Sequence, residues 1–388
     1  MPAVSDPMWI DSPGGVAEVC RRAAEAGVVA IDSEADSLHS YFHKVCLIQL
    51  SYAGQHALLD PLALGREGLA PLVALLGDGA VTKLLHGADY DLRVLDRDIG
   101  ARVSPLRDTQ VAAQLLGDKQ TGLGALLERE FGIVLDKRHQ RADWSVRPLP
   151  DDVKAYAVND TAHLEGLAAR LGERLAAVGR ESWWTEECEA LEGIRWQAPV
   201  TDPLAFERIK GAGRLRGEPR DRLAALHAWR ERQAAAADVP PFKVLRGEVL
   251  LELAANPPAD LAALADLKGV GHGTVRRWGR ELLATLTSPA PAAPRGDRPR
   301  FVRDRQRDLR VEAARRVRDE VAVALALDPG VLAPRAGLES CAERPPRDVA
   351  ELVSCLGRRW RAGALAAALL PLAAAWLEEE RSGSAVTA

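Results

Sequence analysis

The sequence predicts an α/β domain followed by all-α modules, and three observations carry that expectation. Short runs rich in Val, Ile and Leu crowd the N-terminal region, helical spacing of apolar residues dominates the rest of the chain, and one Pro-rich stretch splits the helical part in two. With 388 residues the chain exceeds one ordinary domain.

Residues 28–31 and 45–51 read as buried strands separated by a polar segment with Ser, His and Tyr, and 56–59 as a third. Residues 83–85 suit a short fourth strand. Apolar spacing predicts helices over 69–76, 91–98, 109–116 and 123–130. Pro150 and Asp151 then start a long helix through Tyr156 and Asp160 toward Leu175, closing a domain at 1–178. Residues 179–201, with Trp183, Trp184, Trp196 and Pro199, are expected as a connector that packs, because tryptophans are costly to leave wet. A helical module is expected at 202–288 and a linker at 289–300, marked by the run T-S-P-A-P-A-A-P-R-G-D-R-P at 287–299. A second helical module, with helices over 302–326 and 348–380, occupies 301–381 before a tail at 382–388.

Composition narrows the class. Apolar residues at 47% and charged residues at 27% suit a globular protein rather than a disordered one. The five cysteines, Cys20, Cys46, Cys188, Cys341 and Cys355, are odd in number and scattered, which suggests neither a disulfide framework nor a Cys-x-x-Cys metal site. With no signal-peptide pattern at the start, a cytoplasmic location is expected. The apolar run 362–377 is shorter than a bilayer span and is broken by Pro371, so a buried terminal helix, and no membrane, is expected. Residues 1–200 hold 20 basic and 30 acidic groups and the remainder 31 and 25, so polyanion binding should lean on the back half.

Three acidic elements stand out. Asp32 and Glu34, two apart at a strand end, share one face of the pleat, as metal ligands or as an acidic strand end paired with Arg. In H-G-A-D-Y-D-L-R-V-L at 86–95, Asp89 and Asp91 fall in the first turn of a helix, where capping is the plain alternative. Tyr156 and Asp160, four apart, stack on one face of a predicted helix, a spacing also common in surface pairs.

Together the order D-x-E, then Asp in a helix start, then Y-x-x-x-D resembles the DEDD exonuclease superfamily, specifically its Tyr-containing branch and the ribonuclease D family. The segments H-S-Y-F-H-K-V-C-L-I-Q-L, D-T-Q at 108–110 and A-D-W-S-V-R-P-L at 142–149 match as well, so the resemblance spans about residues 25–175. It implies a ribonuclease H-like domain, a mixed sheet flanked by helices. It also implies two divalent ions, Mg²⁺ or Mn²⁺: Asp32 bridging both, Glu34 and Asp160 completing the water-activating site, and Asp91 holding the second through water. Tyr156 would orient the attacking water. Asp91 is preferred to Asp89 because the family's acid directly precedes Leu. His39 is a candidate contact to the terminal nucleotide. Where the family commonly has D-T-E and then an aromatic or apolar residue, this chain has Asp32, Ser33, Glu34 and Ala35, which touches substrate grip more than metal binding.

In the back half, F-E-R-I-K-G at 206–211, the run 227–245 and L-A-D-L-K-G-V-G-H-G-T at 264–274 resemble an HRDC domain. Lys268, Arg276 and Arg277 are its candidate nucleic-acid contacts. Residues 301–381 look like a second, degenerate unit. Its Arg-rich helix (Arg303, Arg305, Arg307, Arg310, Arg315, Arg316 and Arg318) reads equally as a salt-bridged face or an RNA-facing stripe. The implied reaction is 3′→5′ hydrolysis of RNA ends, such as those of tRNA precursors, to nucleoside 5′-monophosphates, by a monomer as the default. A DNA exonuclease of the kind attached to RecQ helicases is the alternative partner choice, and a catalytically silent nucleic-acid-binding scaffold the alternative from another class.

Overall fold

The computed structural model describes residues 6–136, 138–198, 200, 202–287, 289–293 and 304–385, without the side chains of 383–385. Among the described residues six strands are present: β1 (Met8–Ile10), β2 (Val28–Ala35), β3 (Val45–Tyr52), β4 (Gln55–Leu59), β5 (Thr82–Leu85) and β6 (Leu106–Asp108). They form one sheet in the order β1-β4-β3-β2-β5-β6. β3 and β4 pair antiparallel as a hairpin, whereas β1/β4, β2/β5 and β5/β6 are parallel, so the sheet is mixed. The four predicted strands lie inside β2 to β5. The three-residue strands β1 and β6 went unpredicted, because three residues show no alternation.

β3 is buried along its whole length, which explains its continuous apolar run. Helices flank the sheet, among them Pro13–Ala26, Asp89–Ile99, Thr109–Leu115, Leu123–Phe131 and Leu164–Ala177. Pro13–Ala26 was not expected from the sequence, although Ser12 caps it through the backbone N–H of Gly15 and Gly27 ends it in the left-handed conformation.

The expected long helix from Asp151 to Leu175 is a correction. It stops at Val158, and a turn over 159–163 precedes the helix Leu164–Ala177. Asn159 and Thr161 divert the backbone, since the Asn159 amide donates to the Ala155 carbonyl and the Thr161 hydroxyl to that of Val158. Tyr156 is therefore helical while Asp160 sits in the turn. The segment 179–201 packs through a helix, Glu181–Glu192, in which Trp184 is buried and donates its indole N–H to the Asp108 carbonyl, whereas Trp196 is exposed. Pro199 lies outside the described residues.

The chain forms two compact units. One joins the sheet, the helix Glu181–Glu192 and the C-terminal helices, and a single apolar core runs through all three. Trp183 stacks on Trp360 with ring centroids 4.5 Å apart, and Arg180 donates to the carbonyls of Leu115 and Leu325. Glu186 accepts the backbone N–H groups of Arg359 and Trp360, and Glu187 pairs with Arg358 and Arg361. Gly117 packs so closely that a Cβ there would stand 1.8 Å from the Ala326 carbonyl oxygen.

The C-terminal helices are Arg305–Ala324, Pro329–Leu332, Arg335–Glu343, Val349–Leu356 and Arg359–Ala385. Within the last, which has 27 residues, the 24-residue stretch Arg359–Ser382 is long and apolar enough to cross a membrane by length and composition. It is longer than the apolar run seen in the sequence, and Trp360, Ala362, Leu365, Leu369, Ala373 and Trp376 along it are buried. Most of the arginines on Arg305–Ala324 are paired: Arg307 with Glu343, buried Arg310 with Glu380, Arg315 and Arg318 with Asp319. Arg305 and Arg316 are exposed, and Arg303 lies outside the described residues.

The other unit contains helices Gly217–Ala237, Pro241–Val244, Gly247–Ala255, Leu261–Ala265 and His272–Thr287 around Phe206, Leu226, Trp229, Leu253 and Leu282. It also includes the segment Ala35–Lys44. Asp238, left-handed at the end of the first helix, accepts the backbone N–H groups of Tyr41 and Phe42. Of the expected linker at 289–300, residues 294–300 lie outside the described residues, as do 386–388 of the expected tail.

Candidate active site

Two parallel strands build the site. β2 pairs with β5 over Val28–Ala30, so its continuation carries Asp32 and Glu34 past the paired segment. β5 ends at Leu85, and after the turn His86–Gly87–Ala88 the helix Asp89–Ile99 begins, bringing Asp91 to the same end of the sheet. Carboxyl ends of parallel strands are where such folds gather function. Asp160 arrives from the turn over 159–163.

Asp32, Glu34 and Asp160 each offer a carboxylate oxygen, and these oxygens lie within 4.8 Å of one another. Asp91 stands beside this trio rather than in it. It is buried and accepts a short hydrogen bond from the Ser33 hydroxyl. Asp89 points elsewhere, exposed and paired with Arg93 at 2.8 Å.

Burial and mutual repulsion dominate the electrostatics. Burial, then the Asp91, Asp160 and Glu34 charges, hold Asp32 well above the usual carboxylate range. Glu34 is pushed up to about 8 by burial and by Asp160 and Asp91. Burial raises Asp160 to about 6, and Asp91 to about 6 despite the Ser33 bond. Among the described residues no Lys or Arg pairs with any of the trio, so the acidic strand end paired with Arg does not occur. Hard oxygen donors crowded without a counter-charge fit a divalent cation.

Tyr156 is held from two sides, with the His139 ring edge-on at 5.8 Å and Trp144 tilted at 6.2 Å. Burial and the Asp160, Glu34 and Asp32 charges raise its phenol above the ordinary value, so it stays protonated as a hydrogen-bonding group.

Asp108, the first residue of the D-T-Q motif, carries no role in the sequence reading, yet it governs the geometry around Asp91. Its buried carboxylate accepts the backbone N–H groups of Gly87 (3.0 Å), Ala88 (2.8 Å), Gln110 (2.8 Å) and Val111 (3.2 Å). One side chain thus ties the turn before Asp91 to the start of the next helix. Ser33 was also missed, because a small polar residue between two acids carries no signal of its own.

His39 is half-buried within the segment 35–44, its backbone N–H donating to the Asp36 carbonyl, and it belongs to the second compact unit. Lys268, Arg276 and Arg277 are exposed on that unit, and Arg277 lies over the Trp278 ring at 4.6 Å.

A family model described as 3′-5′ exonuclease matches residues 7–176, and an HRDC domain model matches 220–286. Ribonuclease D of Acidiphilium cryptum is 36% identical over 314 residues, 77% of this chain and 78% of that one. Among solved structures, Escherichia coli RNase D is 28% identical with a TM-score of 0.66, covering 95% of this chain and 98% of that one. A Bifidobacterium adolescentis protein is 25% identical with a TM-score of 0.80, covering 96% and 98%. Fold and site together define a 3′–5′ exonuclease with an appended HRDC domain. The chain belongs to the ribonuclease D family of exoribonucleases.

Proposed function

We propose that this enzyme shortens RNA from its 3′ end, releasing nucleoside 5′-monophosphates, with Asp32, Glu34, Asp91 and Asp160 holding two divalent cations, Mg²⁺ or Mn²⁺. The observation that carries the proposal is the trio of carboxylate oxygens within 4.8 Å of one another, with no Lys or Arg paired to it among the described residues. When bound, such ions supply Lewis acidity toward water and the scissile phosphate. Asp32 would hold both ions, Glu34 and Asp160 would complete the water-activating position, and Asp91 would hold the second ion. Tyr156 would keep its proton and donate a hydrogen bond that orients the nucleophilic water rather than deprotonating it.

Structured RNA is the proposed substrate class, precursor tRNA ends included. Support comes from the Escherichia coli relative, described as an exoribonuclease involved in structured RNA processing. Residues 301–381 serve as a second HRDC-like module. Their helices repeat the order of lengths in the first, 20, 4, 9, 8 and 27 residues against 21, 4, 9, 5 and 16. His39, Lys268, Arg276 and Arg277 are proposed contacts to the nucleic acid. A cytoplasmic monomer is the working assignment.

The test uses end-labelled RNA and single-stranded DNA of matched sequence with Mg²⁺, Mn²⁺ or EDTA. Stepwise shortening of RNA that EDTA abolishes supports the proposal, and Asp32→Asn should lower the rate by on the order of 10³-fold or more. Shortening of DNA alone would favour the helicase-associated kind of exonuclease. Binding without shortening would leave a scaffold.

A further inference from the structure

Behind the acidic trio runs a buried series of hydrogen-bonded side chains. Ser51 on β3 and His56 on β4 stand opposite each other in the hairpin register, and the Ser51 hydroxyl lies 2.7 Å from His56 Nδ1. The same hydroxyl lies 2.7 Å from that of Thr161, which in turn donates to the Val158 carbonyl at 3.3 Å. Ser51 and His56 are 7% exposed and Thr161 1%, so water competes little for these bonds. Thr161 directly follows Asp160 in the turn over 159–163. Backbone bonds of that turn run back into the helix Asp151–Val158, and the one made by Asp160 is long, 3.4 Å to the Ala157 carbonyl. Ser51, by contrast, ties the turn to the sheet that carries Asp32 and Glu34.

The inventory of donors sets the order of the protons. Each hydroxyl has one, and burial lowers His56 below its ordinary value, so its ring is neutral and carries one as well. With the Thr161 proton given to Val158, Ser51 must donate to Thr161, and His56 must donate from Nδ1 to Ser51.

We propose that Ser51 is a positioning residue of the exonuclease: backed by the His56 Nδ1–H, it holds Thr161 and so keeps the Asp160 carboxylate beside Asp32 and Glu34. This rests on the reading of those acids as cation ligands. Three carboxylates whose oxygens lie within 4.8 Å of one another repel, and Asp160 sits in a turn, which leaves it the member freest to retreat. The Ser51 anchor opposes that retreat. A ligand set held in place beforehand binds a cation more tightly than one that must be reassembled. Because Ser51 acts through Thr161 rather than on the nucleic acid, its loss falls on cation binding and turnover and not on the grip on RNA.

Mn²⁺ binding to the full-length protein is titrated by the loss of the free-ion electron paramagnetic resonance signal, beside the kinetics of shortening of an end-labelled RNA. Thr161→Val, which keeps the shape and removes the hydroxyl, and Ser51→Ala should each weaken Mn²⁺ binding by roughly 10–100-fold, the range for contacts that support metal ligands. Both should lower kcat while KM for RNA stays within about twofold. Thr161→Ser, which keeps a hydroxyl, should recover most of the affinity that Thr161→Val loses. Thermal melts establish that each variant is folded, and nitrogen-15 shifts of the wild type, which need no variant, should place the His56 proton on Nδ1. A proton on Nε2 would overturn the order of the series, and folded variants with wild-type Mn²⁺ affinity would overturn the positioning role. Wild type that takes up no Mn²⁺ would instead overturn the cation reading itself, and this inference with it.

Discussion

The carboxylate of Asp108 accepts the backbone N–H of Ala88 at 2.8 Å, three residues before the buried Asp91. It also accepts from Gly87, Gln110 and Val111, so this acid fixes how the helix Asp89–Ile99 leaves β5. Asp108→Ala leaves buried N–H donors unsatisfied, a loss of roughly 1–3 kcal/mol. Asp108→Asn, which keeps the shape, should lower apparent metal affinity by roughly 10–100-fold, as supporting contacts of metal ligands do. Metal titration of the exonuclease rate checks it. Asp89→Asn, at an exposed ion pair, is the control and should stay within about twofold of wild type.

Stability should depend on pH in the direction set by the raised carboxylates. Glu34 goes from 4.5 to about 8, and Asp91 and Asp160 go from 3.8 to about 6. A carboxyl group whose folded value lies above its unfolded one favours folding while protonated, fully below the unfolded value, and loses that contribution as pH rises through the folded value. In EDTA the melting temperature should therefore fall between about pH 4 and pH 8 at this site. Saturating Mn²⁺ should reduce the fall, because the cation replaces the protons. A melting curve series at fixed ionic strength decides it, and equal slopes with and without Mn²⁺ would refute the linkage.

Gly117 has φ +78°, and its missing side chain leaves room for the Ala326 carbonyl. Gly117→Ala forces that contact apart and strains the backbone at once, so a loss of roughly 1–3 kcal/mol or more is expected. Chemical denaturation measures it. A substitution at Gly124, with nothing within 4 Å of its Cβ position, serves as the comparison and should cost far less.

Arg276 and Arg277 give a salt-dependence prediction. If both meet phosphates, Arg276→Ala/Arg277→Ala should flatten the log–log slope of RNA binding against salt by about 1.4, the single-strand value for two contacts. Binding should weaken similarly across RNA sequences, since phosphate contacts carry no base information. Fluorescence anisotropy at several salt concentrations checks both parts.

The sheet core was legible in short apolar runs, β3 above all, whereas Asp32, Glu34 and Asp160 were legible only through the order of their motifs together, which resembles the exonuclease family, their spacings alone leaving plainer readings open. The helix break at Val158 was hidden, because Tyr156 and Asp160 fit helical spacing and only the side-chain bonds of Asn159 and Thr161 to the backbone divert the chain. Roles such as that of Asp108 depend on where Gly87 and Ala88 come to lie, which no local pattern encodes.

The stacked indoles of Trp183 and Trp360 lie at an interplanar angle of 20°. Two chromophores this close share their excitation, so the pair should contribute its own ultraviolet circular dichroism, distinct from that of isolated tryptophans. The enzyme thereby carries a built-in optical gauge of whether its last helices remain seated, readable without any label.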